Sequence, residues 1–151
     1  MSAPDWTAAP VSAADEASVR RLVESVGWHD SVVYAITCVR EGSADAVEVL
    51  GRFLTNHAAQ RSARARVTFR RCWRVDMHLD WGVRCMSDGE MLYDLALSTA
   101  HEAIDGVRRE WPRRPLPALF HARLDLATTG SWVDVVFSEL AVEPLGPEGE
   151  H

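Results

Sequence analysis

VTFRRCWRVDMHLDWGVRC, residues 67–85, is the stretch on which the fold class turns. Its odd positions from Val67 to Cys85 are apolar apart from Arg71, and its even positions are mostly polar or charged, from Thr68 and Arg70 to Asp76, His78 and Asp80. A period of two is that of a strand with one face buried. Fully extended, the stretch would reach about 60 Å, too long for a domain of this size. The ribbon must therefore bend or break, and Asp80, Trp81 and Gly82 are the expected place.

Downstream, Ser87 and Glu90 have the spacing of a capping box. The pattern predicts a helix over 88–109, with Leu92, Leu95, Ile104 and Val107 on one side and Asp94, Ser98, His101 and Asp105 on the solvent side, stopped by Pro112. PRRPLP then reads as a stiff linker, and residues 121–143 as two strands around the turn TTGS. Upstream, NHAAQRSARAR reads as a connection, preceded by a helix that Ser43 caps, with Ala46, Val49, Leu50, Phe53 and Leu54 as its stripe. Residues 32–40, rich in β-branched side chains, read as a buried strand, with a helix as the competitor. A first helix starts after Ser12, carries Asp15 and Glu16 in its first turn, and ends at Gly27.

The expected architecture is a single α+β domain over 12–143, between a flexible arm at 1–11 and a flexible tail at 144–151. Its sheet is largely antiparallel, of about four to five strands, covered on one face by three helices. The alternative is a ferredoxin-like βαββαβ core with an added N-terminal helix and C-terminal strand.

Composition excludes several functions. The chain has 151 residues and a net charge of -6, which argues against a general nucleic-acid or membrane binder. No apolar run reaches the roughly 20 residues that span a bilayer, and the start lacks the pattern of a signal peptide. Cys38, Cys72 and Cys85 form no CxxC or zinc-ligand spacing, so three free thiols in a cytoplasmic protein are expected. All sixteen basic side chains are arginine. GC-rich coding explains that, although arginine also makes the bidentate oxyanion contacts that lysine does not.

Asp76, His78 and Asp80 alternate along the ribbon. Residues two apart project to one side about 6.6 Å apart, and four apart about 13 Å, so the two aspartates cannot share an ion without a bulge. A solvated charge ladder is expected, facing His121, Arg123, Asp125 and Asp134 of the last hairpin, with no metal and no cofactor. Cys72, between Arg70 and Arg74, has the charge environment of a lowered thiol pKa but no histidine close enough to activate it. The segment 61–74 concentrates arginine without an acidic residue; neutralisation by acids elsewhere in the fold is expected over nucleic-acid binding.

The functional expectation is a non-enzymatic protein-interaction or regulatory domain. Arg70, Arg74, Asp76, His78, His121 and Arg123 are its candidate binding residues. A homodimer is expected through Trp132 and Val136, because the final strand is too apolar for a bare edge. The alternative is a small-molecule site or enzyme using Asp76, His78, Cys72 or His121.

Overall fold

The computed structural model describes residues 4–40, 45–56, 58–59, 61–80 and 89–146. Among these residues it is mostly sheet, with nine strands and two nine-residue helices. The elements are β1 (Val11–Ala13), α1 (Glu16–Glu24), β2 (Gly27–Val39), β3 (Ala46–Asn56), β4 (Arg61–Arg70), β5 (Arg74–His78), β6 (Glu90–Ser98), α2 (Glu102–Glu110), β7 (Phe120–Leu126), β8 (Trp132–Phe137) and β9 (Glu139–Pro144). All pairings are antiparallel, in the order β1-β9-β4-β3-β2-β6-β7-β8-β5.

Only Ser138 separates β8 from β9, so they are one strand bent at a corner. β4 and β5 turn the same corner at 71–73, where Arg71 adopts a φ of 53°. The bent strand pairs with β7 and β5 before the corner, and with β4 and β1 after it. The strand order therefore returns on itself and the sheet rolls around one core.

That core takes Val47, Val49 and Phe53 from β3 and Ala65, Val67 and Phe69 from β4. Ala122 and Leu124 of β7 and Val133, Val135 and Phe137 of β8 meet them from the other half. Phe69 and Phe137 touch edge to face across the roll, 5.0 Å between ring centroids. Helix α1 closes the inner side with Val19 and Leu22, both 0 % exposed, and Asp15 caps its start by accepting the Ser18 N–H. The arm expected to be loose contributes Trp6, which is 2 % exposed and donates Nε1–H to the Ser25 carbonyl. Helix α2 lies on the opposite face of the sheet, where Ile104 and Val107 cover Val136 and Leu119.

Several expectations are overturned. The sheet has nine strands rather than four or five, and two short helices rather than three covering ones. The consecutive β2–β3–β4 meander also rules out the ferredoxin-like order. The segment expected as a Ser43-capped helix is β3: Val47, Val49 and Phe53 point inward at a period of two, and Gly51 fits where a Cβ would meet the Val32 carbonyl oxygen at 2.5 Å. Most of the expected connection 56–66 is the start of β4. The expected helix 88–109 is β6 followed by α2, separated by 99–101; Ser87 of the expected capping box lies outside the described residues. A register shift between Leu92 and Asp94 puts Leu92 and Leu95 on one face three residues apart, which imitates helical spacing. The ribbon 67–85 breaks at 71–73, between β4 and β5, and β5 ends at His78; of the bend expected at 80–82, Trp81 and Gly82 lie outside the described residues.

Candidate functional site

The face of β7, β8 and β5 turned away from the core carries a polar ladder. Arg123 of β7 pairs with Asp134 of β8, which pairs with Asp76 of β5; one step along, Asp125, Trp132 and His78 form the next row. Each carboxylate in the first row has a cation. Arg123 donates Nη1–H to Asp134 Oδ2 at 3.1 Å and Nε–H to Asp125 Oδ1 at 3.2 Å. Its guanidinium also lies 4.4 Å from the centre of the Trp132 ring, and the His78 ring stacks with Trp132 at 6.0 Å. Arg74 Nε stands 3.3 Å from Asp76 Oδ2. Opposed like charges on facing strands are thus each neutralised locally.

His121 is a buried polar member of this face, 4 % exposed. Its Nε2 lies 2.7 Å from Asp134 Oδ1. A carboxylate only accepts, so Nε2 carries the hydrogen and Asp134 is held by two donors. Burial pushes the His121 pKa below its ordinary value; the Asp134 hydrogen bond acts against that shift.

His101 reaches the same place from the link between β6 and α2. Ser98 Oγ accepts the Ala100 N–H at 3.2 Å, and this turn swings the chain back over the sheet. His101 then caps α2, its Nδ1 accepting the Ala103 N–H at 3.0 Å. That bond fixes the hydrogen of the neutral ring on Nε2. The two imidazoles stack, 3.7 Å between centroids and 9° from parallel.

Between α2 and the sheet lies an open cleft of about 300 Å³, lined by Arg74, Asp76, His101, Glu102, Arg109 and Asp134 among others. That volume is at the lower end for a small-molecule site. Gly106 of α2 lets two guanidinium groups converge: a Cβ at that position would stand 3.2 Å from Arg74 Nη1 and 3.9 Å from Arg109 Nη2. Arg109 makes no ion pair with the described residues, and Arg74 commits only its Nε side to Asp76. Both guanidinium groups therefore keep N–H donors that no carboxylate among the described residues takes up.

No family model matches the chain, and no curated protein sequence matches it. The geometry alone carries the reading of the site.

Of the residues selected from the sequence, Arg74, Asp76 and His121 line the cleft. Arg123 joins them through Asp134, and His78 and Trp132 sit one row away. Arg70 lies beyond the corner, beside Glu139 at 3.9 Å. Glu143 likewise meets Arg66 at 3.2 Å, so cross-strand glutamates oppose part of the arginine-rich segment. Cys72 turns to the other side of the sheet. Arg71 resets the alternation at the corner, and the thiol packs against the core, donating to the Phe69 carbonyl at 3.1 Å. Burial pushes its pKa up to about 12, which leaves it unreactive. Among the described residues no group of three His, Cys, Asp or Glu side chains converges to hold a metal ion.

Val136 is 1 % exposed beneath α2, and β8 lies between β7 and β5. The bare apolar edge that motivated a contact there is therefore paired and covered. Trp6 and Trp28, at 2 % and 6 % exposed, are core side chains. Exposed apolar side chains cluster elsewhere: Met91 pairs with Val32 across β6 and β2, with Tyr34 and Tyr93, 37 % and 59 % exposed, nearby on the same two strands. Sequence reasoning missed Arg109 and Gly106, and it placed His101 in mid-helix. The acids Glu102 and Asp105 just after His101 were a legible sign that a helix starts there.

Proposed function

We propose that the protein is a non-enzymatic binding domain that receives a small oxyanionic ligand, of the carboxylate or phosphate type, in the cleft between α2 and the sheet. The observation that carries this reading is the convergence of the Arg74 and Arg109 guanidinium groups on Gly106, with donor capacity to spare. Concavity favours a small molecule over a flat protein surface. The committed hydrogen bonds of Asp134 and the raised pKa of Cys72 favour binding over nucleophilic chemistry.

Titration with sulfate and with succinate, followed by backbone amide NMR, tests it. Saturable shifts centred on Ala103 and Gly106 are expected, and Arg109→Gln should weaken binding about tenfold, the worth of one hydrogen bond to a charged group. Scattered, unsaturated shifts would defeat the reading.

A second reading keeps the partner-binding role expected from the sequence, with a second copy of the chain as the partner. The exposed Tyr34, Met91 and Tyr93 favour it. Light scattering at micromolar concentration should give twice the chain mass, reduced to one chain by Tyr93→Arg; a single-chain mass for the unmodified protein rejects it. No described helix is long and apolar enough to cross a membrane. A cytoplasmic setting is part of the proposal, supported by the free Cys38 and Cys72 thiols.

A further inference from the structure

The stacked imidazoles have only two ways to accept a proton, and each has a cost. His101 already uses Nδ1 to accept the Ala103 N–H, so protonating it removes the cap of α2. His121 already donates Nε2–H to Asp134, so protonating it places charge in a site that is 4 % exposed. Protonating both would set two imidazolium rings 3.7 Å apart, which like-charge repulsion opposes. Placing a proton on either ring is therefore coupled to the charge on the other and to the charge around both.

Six charged side chains face the pair: Glu102 and Arg109 from α2, Arg74 and Asp76 from β5, Arg123 from β7 and Asp134 from β8. Asp76 lies against Arg74, and Asp134 is shared between His121 and Arg123. Arg109 and Glu102 have no such partner among the described residues, so the six balance, three cations against three anions. An anion seated between Arg74 and Arg109 would tip that balance to negative and favour positive charge on the rings beside it.

We propose that an anion entering the cleft brings a proton with it, taken up by the His101–His121 pair, so that the site binds more tightly as pH falls. This rests on the anion-binding reading above and adds its regulation. Linkage makes the effect reciprocal: the bound anion raises the proton affinity of the pair by the factor by which the proton raises that of the anion. The site then responds to pH through its ligand.

Sulfate is the probe, because it remains a dianion throughout the range in which histidine titrates. At constant ionic strength its dissociation constant should fall about tenfold between about pH 8 and 5.5. Binding heats in buffers of different ionisation enthalpy should show net proton uptake in the middle of that range. His101→Asn, which preserves a capping side chain, should reduce the pH effect to under about twofold. Sulfate binding whose affinity stays constant with pH, or whose heat does not vary with the buffer, overturns proton uptake and leaves the anion-binding reading standing. A pH effect unchanged in His101→Asn overturns the assignment to this pair. No saturable sulfate binding at any pH overturns both.

Discussion

The hydrogen bonds of Asp134 make it the residue on which the polar face depends. It accepts from His121 and Arg123 with separate oxygens, and Arg123 in turn reaches Asp125 and the Trp132 ring. Asp134→Ala should cost about 1–3 kcal/mol, since it leaves a buried imidazole and a clamped guanidinium without their acceptor. Urea unfolding at neutral pH measures that loss, and a change within error would show the face to be solvated rather than structural. His121 also sets the direction of the pH dependence. Burial first, and Arg123 and His101 after it, hold its folded pKa below the unfolded value despite Asp134. Above the unfolded value of about 6.5 both states carry the neutral ring and the contribution of this group is complete. As pH falls below that value the unfolded chain binds the proton first, so stability is lost until the folded pKa is passed. The urea midpoint should therefore drop between about pH 7.5 and 5.5 in the absence of anions, and His121→Gln should remove that part of the drop. The sequence showed these residues as an alternating polar set, because strand alternation needs only neighbours. It did not show that Arg74 and Arg109, far apart in the chain, meet over a glycine.

Among the elements, the strands were legible where alternation ran unbroken and illegible where the chain departs from it. Residues 121–143 formed the expected two-strand pattern around TTGS, and α1 ends short of Gly27 as expected, although its cap is Asp15 and Ser12, the expected start, lies in β1. β3 was lost because Val49, Leu50, Phe53 and Leu54 also fit a helical stripe; the neighbouring strands decide such a case, and local spacing carries no trace of them. β6 was lost to its bulge, which shifts the inward face from Leu92 to Leu95. Helix α2 is held by a small satellite cluster, Ile104 and Val107 on Leu119 and Val136, apart from the main core. Ile104→Ala should cost about 2–4 kcal/mol, much of it local to the helix. Hydrogen exchange should then show the α2 amides opening far more readily than those of β4. If both sets of amides accelerate equally, α2 is part of the single cooperative unit and the cleft has no independently loosened wall.

For the whole molecule, one core serves both halves of the rolled sheet. Phe137 is 0 % exposed at the corner and touches Phe69 on one side and Phe120 on the other, with centroids 5.0 and 5.6 Å apart. Phe137→Ala should cost about 3–5 kcal/mol, and tryptophan fluorescence and far-ultraviolet dichroism should still trace one coincident transition. Two separated transitions would mean that the halves fold independently and the common core is only nominal. The strand bent at Ser138 has a further consequence, for synthesis. Residues 132–144 seal the roll, lying against β4 on one run and β7 on the other. A chain leaving the ribosome in sequence order can pair β2, β3 and β4 early, but their apolar inner faces stay open until these late residues arrive. Nascent chains stalled before residue 132 should therefore be protease-sensitive and chaperone-bound, and release of the last strand should convert them to the resistant form in a single step.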